Sequence, residues 1–261
     1  MKPAPIAPAW KYYVLWGVAC ALAALVFVLP PIAQDLSYHD FADKRGLSHL
    51  PFAADVLSNI PFCIVGLWGL VMLSQRKAAE KEALQLWYIF FGGVFLVGFG
   101  SGYYHWAPDN QTLVWDRLPM TIAFMSLFSL IIAERVHTRL GYALFPLLLV
   151  LGAGSVWYWG YTESIGAGDL RPYVLVQFLP MVLILLILAL FPARMGGTRY
   201  VIWCLGWYLA AKGLEHFDDA VFAALGHTVS GHSLKHLAAA AAVACLLPYA
   251  KLRLREKTVD V

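Results

Sequence analysis

Histidines four apart on a helix stand on one face, with Cβ atoms about 5–6 Å apart. His232 and His236 can therefore each direct a ring nitrogen at one ion. The spacing recurs upstream, where Ser101 and His105 are also i and i+4. Pro108-Asp109-Asn110 then turns the chain, so Asp116 returns at a similar depth on the next helix. Imidazole suits zinc, and three histidines with an open fourth position make the pattern of a catalytic rather than a structural zinc site. Each residue also has an ordinary reading. His105 lies beside Tyr103, Tyr104 and Trp106 and fits an aromatic belt. Asp116 fits a helix N-cap, and His232 a bond to a loop carbonyl. Their convergence at one depth favours the site.

The elements that must position these groups are membrane helices. Of 261 residues, 61% are hydrophobic and 13% charged, with a mean hydropathy of +0.67. Soluble domains carry about 25% charged residues, so a soluble enzyme and a disordered chain are excluded. A net charge of +3 is too small for a nucleic-acid partner, and no protein partner is readable. Eight apolar runs, near 12–32, 54–74, 86–106, 113–133, 140–160, 171–191, 199–222 and 232–249, each approach the ~20 residues that a span needs. The first is longer than the apolar core of a signal peptide and is expected to remain as a helix. With the N-terminus inside, the inner segments hold Lys2, Lys11, Arg76, Lys77, Lys81, Arg135, Arg139, Arg194, Arg199, Lys251, Arg253, Arg255 and Lys257, thirteen of the 19 basic residues. That asymmetry supports eight spans with both termini cytoplasmic. Cys20, Cys63, Cys204 and Cys245 lie in apolar runs without a CxxC pair and read as buried free thiols.

Three motifs carry a family resemblance. Ser101-Gly102-Tyr103-Tyr104-His105, Trp115-Asp116-Arg117-Leu118-Pro119-Met120 and Gly231-His232-Ser233-Leu234-Lys235-His236 resemble, in order and spacing, the alkaline ceramidase family. Its wider superfamily includes adiponectin-type receptors and haemolysin-III-like proteins. Asp55-Val56-Leu57-Ser58-Asn59 resembles the family's Ser-Asn signature. The resemblance covers about 38–249. It implies an all-α, seven-transmembrane-helix unit over 34–249, preceded here by an added helix within 1–33 and followed by a basic tail, 250–261. It implies zinc on His105, His232 and His236, with Asp116 and Ser101 beside a zinc-bound water, and hydrolysis of the amide bond of ceramide. Animal members also bind calcium through an acidic segment. This chain offers Asp40 and Asp43 there, with Phe52 near the place of a further glutamate, so the calcium set is incomplete.

On this reading Asp116 is general base and then proton carrier to the leaving amine, and Ser101 helps stabilise the oxyanion. The seventh run holds Lys212, Glu215 and Asp218. With Lys235 these are candidates for orienting the metal-bound imidazoles, although Lys212 and Glu215, at i and i+3, could simply neutralise each other. Arg117 could steer a headgroup or pair with Asp116. The expected partner is a membrane lipid. The expected location is a bacterial inner membrane, with the site towards the periplasmic face. A zinc-containing receptor without turnover and a metal transporter are the rival readings.

Overall fold

The computed structural model describes residues 8–76, 81–193 and 196–254. Lys2, Lys77, Arg194, Arg255, Lys257 and the tail from 255 onward lie outside the described residues. The elements are α1 (Ala9–Val28), a 3₁₀ turn (Leu36–His39), α2 (Ala53–Leu57), α3 (Ile60–Ser74), α4 (Lys81–Trp106), α5 (Asn110–Arg135), α6 (Thr138–Ser164), α7 (Arg171–Leu190), α8 (Thr198–His216), α9 (Asp218–Ala224), α10 (Gly231–Ala244) and α11 (Leu246–Arg253). No strand occurs among the described residues. Among the described residues, seven stretches are long and apolar enough to cross a membrane: α1, α2–α3, α4, α5, α6, α7 and α10–α11. Trp68, Val150 and Leu209 all face outward. Such large apolar side chains at a bundle's surface suit lipid rather than water. The chain is an all-α bundle of the multi-pass membrane kind.

Helix α5 is the axis of the bundle and the most buried of these seven stretches. It begins three residues before the expected run. Asp109 accepts from the Thr112 backbone N–H at 2.6 Å, and the Thr112 hydroxyl accepts from the Asp109 N–H at 3.1 Å. This capping box satisfies two of the helix's free N–H groups and fixes where the Pro108-Asp109 turn ends. Asp116 is therefore inside the helix and is not its N-cap. Trp87, Phe91 and Ile131 anchor the apolar core between α4 and α5.

One close approach sets the register of α4 on α5. Pro119 has no N–H to offer the carbonyl of Trp115 four residues earlier. Gly100 packs against that carbonyl so tightly that a Cβ would lie 2.1 Å from the oxygen. Ser101 and Asp116 are the next residues on each helix, so this contact places them together.

Three of the expected runs are interrupted. The second breaks at Ser58-Asn59, where the Asn59 amide donates to the Asp55 carbonyl at 2.8 Å and Pro61 opens α3. The seventh breaks after His216, and the eighth at Cys245. Helix α1 runs antiparallel to α7. Lys11 Nζ donates to the Leu190 carbonyl at 2.5 Å, and Arg171 Nη1 to the Leu29 carbonyl at 2.7 Å. All four thiols are free, but only Cys204 is buried, and Cys20 faces outward from α1.

Replacing Gly100 by alanine forces the two backbones apart and is expected to destabilise the protein by about 1–3 kcal/mol. Gly102, two residues on, has open space around it, so Gly102→Ala should leave stability unchanged or slightly improved. Thermal unfolding in detergent distinguishes the two.

Candidate metal centre

His105 comes from the last turns of α4, and His232 and His236 from the first turns of α10. All three are buried, and one nitrogen from each lies within 4.8 Å of the others. His105 Nε2 and His232 Nε2 are 3.2 Å apart. Two nitrogens at the ~2.0–2.1 Å zinc–nitrogen distance of a tetrahedral site would be about 3.3 Å apart. That pair is at the spacing of two zinc ligands, and the three imidazoles together could hold a metal ion.

The surrounding hydrogen bonds prepare these rings. The Ser58 hydroxyl donates to the Asp55 carbonyl at 2.9 Å and lies 2.8 Å from His236 Nδ1. Its hydrogen being committed, the oxygen is left to accept from Nδ1–H. That assignment leaves the Nε2 lone pair of His236 free for a metal. The break between α2 and α3 is what turns Ser58 towards the ring. His105 Nδ1 is buried without a hydrogen-bond partner among the described residues.

Asp55 ties the first turn of α10 to α2. Fully buried, it accepts from the Ser233 hydroxyl at 2.6 Å and the Ser230 hydroxyl at 3.3 Å. Ser230 also caps the helix, accepting from Ser233 N–H at 2.9 Å. Phe41 closes the site from the segment between α1 and α2. Its ring centroid is 4.7 Å from that of His105 and 4.4 Å from that of His232. Asp218 anchors this cover by accepting from the N–H of His232 at 2.7 Å and of Ala42 at 3.0 Å.

Ser101 and Asp116 are both buried and face one another. They line one cavity with His236. The other expected supporting residues do not contact the imidazole rings. Glu215 accepts from Lys235 at 2.6 Å and from the Tyr38 hydroxyl at 3.2 Å, and pairs with Lys212 as well. Lys212, Glu215 and Lys235 thus form an ion cluster at the cavity. Asp218 holds the backbone of His232 rather than its ring. Arg117 turns from Asp116 to Gln34, donating at 2.7 Å. Asp40 pairs with Lys44 at the surface. Asp43 receives Arg45 through two guanidinium bonds, at 2.7 and 2.6 Å, and these hold its carboxyl below the usual carboxylate range. Each acid is engaged by a cation of its own loop. Among the described residues, the three histidines are the group of three that could take a metal.

Ser58, Asp55 and Phe41 are the contributors that the motif pattern left without a role. A carboxylate inside the apolar run 54–74 was the available signal for Asp55. For Phe41 there was none. Comparison with family models, with curated proteins and with solved structures returns no match.

Because Ser58 holds His236 in one tautomer, Ser58→Ala should weaken zinc binding by about ten- to a hundredfold. Competition with a chromogenic chelator in detergent measures it.

Proposed function

We propose that this protein is a zinc-dependent intramembrane hydrolase that cleaves the amide bond of ceramide or a related N-acyl lipid to a fatty acid and a sphingoid-type amine. The observation that carries this reading is the cavity beside His236. It holds about 230 Å³, has Ser101, Asp116 and His236 at one end, and continues inward between Phe90, Leu127 and Leu246. Ser101 and Phe90 are about 16 Å apart along α4, at 1.5 Å per residue. That is about half the hydrocarbon thickness of a bilayer. An amide at the polar end therefore leaves an apolar channel for an acyl chain, the mixture of greasy walls and few polar groups that ligand sites use.

His105, His232 and His236 would hold the zinc, which would supply Lewis acidity towards the amide carbonyl and water. Asp116 takes the proton of the attacking water and returns it to the leaving nitrogen. The Ser101 hydroxyl donates to the carbonyl oxygen as negative charge builds there. Phe41 and the buried setting keep bulk water from these groups. A receptor would need the metal, but not a carboxylate and a hydroxyl facing each other beside it. A transporter would need metal groups at successive depths, and among the described residues one group qualifies.

The same reading makes α8 an eighth span. Its 19 residues span about 28 Å, and the Lys212–Glu215 pair accounts for its lower hydropathy. Both termini are then cytoplasmic and the imidazoles lie near the outer face, which is the periplasmic face in a bacterium.

Zinc-loaded protein in detergent should release fatty acid from a panel of N-acyl lipids, detected by mass spectrometry. His232→Ala and Asp116→Asn should each lower the rate by about a hundredfold or more. Stoichiometric zinc with no release from any member of the panel would overturn the hydrolase reading. Reporter fusions at each terminus, active only in the cytoplasm, should both light up if eight spans are present.

A further inference from the structure

Arg117 adds a positive charge to the cavity, close to the Asp116 carboxylate but turned away from contact with it. It is 6% exposed and lines the same cavity as Ser101 and Asp116. Its guanidinium lies 4.2 Å from the Trp159 ring centroid and 4.7 Å from that of Tyr173. Nη2 donates to Gln34, but Nη1 is buried with no hydrogen-bond partner among the described residues. The cradle is itself braced. Glu163 accepts from Trp159 Nε1 at 3.1 Å and from the Gln34 backbone N–H at 2.6 Å, so it holds the two groups that hold the guanidinium.

The cations of the cavity are Arg117, Lys212 and Lys235, and its carboxylates are Asp116 and Glu215. Three against two leaves one positive charge in excess. Lys212 and Lys235 share Glu215, and among the described residues no carboxylate lies in ion-pair contact with Arg117. A buried cation without a counter-charge is costly. Aromatic faces offset only part of that cost. Guanidinium N–H groups match carboxylate oxygens in geometry and form charge-assisted bonds with them.

We infer that Arg117 is a specificity-determining residue that binds a carboxylate on the amine half of the substrate, so that N-acyl amino acid lipids are preferred over neutral N-acyl amines. For turnover this rests on the hydrolase reading, whose substrate it narrows to a related N-acyl lipid with an amino acid in place of the sphingoid-type amine; for binding it does not. In the reaction one water is consumed, the amide C–N bond breaks, a C–O bond forms on the acyl carbon, and the amino acid leaves with the proton.

The test compares N-palmitoylglycine with N-palmitoylethanolamine, which share the chain and the amide and differ in a carboxylate against a hydroxymethyl group. Turnover is measured on the full-length zinc-loaded protein, and equilibrium binding of the radiolabelled lipids on the zinc-free protein. The acid should be preferred by about tenfold or more in both kcat/KM and affinity, and Arg117→Gln should bring that ratio close to one. Equal treatment of the two lipids by the wild type, which needs no variant to fold, would overturn the inference. So would a ratio unchanged in Arg117→Gln. If neither lipid is hydrolysed, the hydrolase reading fails and the binding ratio alone decides this one. Palmitate competing as strongly as N-palmitoylglycine, with the same dependence on Arg117, would move the recognised carboxylate to the fatty acid and overturn the assignment to the amine half.

Discussion

Three imidazoles packed within 4.8 Å of one another inside an apolar bundle are the constraint on which the surrounding architecture depends. Polar groups withdrawn from water must find partners or remain costly. The partners come from sequence-distant elements. Ser58 meets His236 through the break between α2 and α3. Asp218 fixes the backbone of His232 from α9 and ties down the segment carrying Phe41. Asp55 locks the first turn of α10 onto α2. His105, whose Nε2 faces that of His232 at 3.2 Å, belongs to the helix that Gly100 and Pro119 press onto α5. A cation among the facing nitrogens would give their lone pairs the favourable interaction that two neutral imidazoles cannot give each other.

Charge inside the bundle is segregated at its two ends. At the end of the imidazoles, Lys212, Glu215, Lys235 and Arg117 rim the cavity. At the opposite end Glu134 accepts from Arg253 at 2.5 Å, pairs with Arg135 at 3.3 Å and receives the Tyr249 hydroxyl. Arg135 also donates to the Thr198 hydroxyl at 2.8 Å. This second network joins α5, α8 and α11 without any histidine or cavity. It sets two guanidinium groups on one carboxylate, and none of the three lines the cavity. The charges of the first end border open volume, which is what a binding site requires.

Much of this was legible from spacing. The apolar runs anticipated the helices to within a few residues, and the i, i+4 pattern at His232 and His236 brought both rings to one place. Ser101 and Asp116 do share a cavity with His236. The helix breaks were not legible, because Ser58-Asn59 and Cys245 sit in stretches that as a whole stay long and apolar enough to read as single spans. Nor was the turn of Arg117 away from its neighbour Asp116. Adjacent residues on a helix point about 100° apart, and the aromatic cradle that receives Arg117 comes from α6, α7 and the 3₁₀ turn. Phe41 lies in a segment without periodicity, where only tertiary packing decides what it covers.

The central claim is that His105, His232 and His236 hold zinc. Zinc K-edge X-ray absorption on the reconstituted, chelator-washed protein tests it most directly. The account predicts one zinc with nitrogen and oxygen neighbours at about 2.0–2.1 Å and the outer-shell scattering of imidazole rings. Loss of the metal on washing, or a sulfur shell at about 2.3 Å, would contradict it.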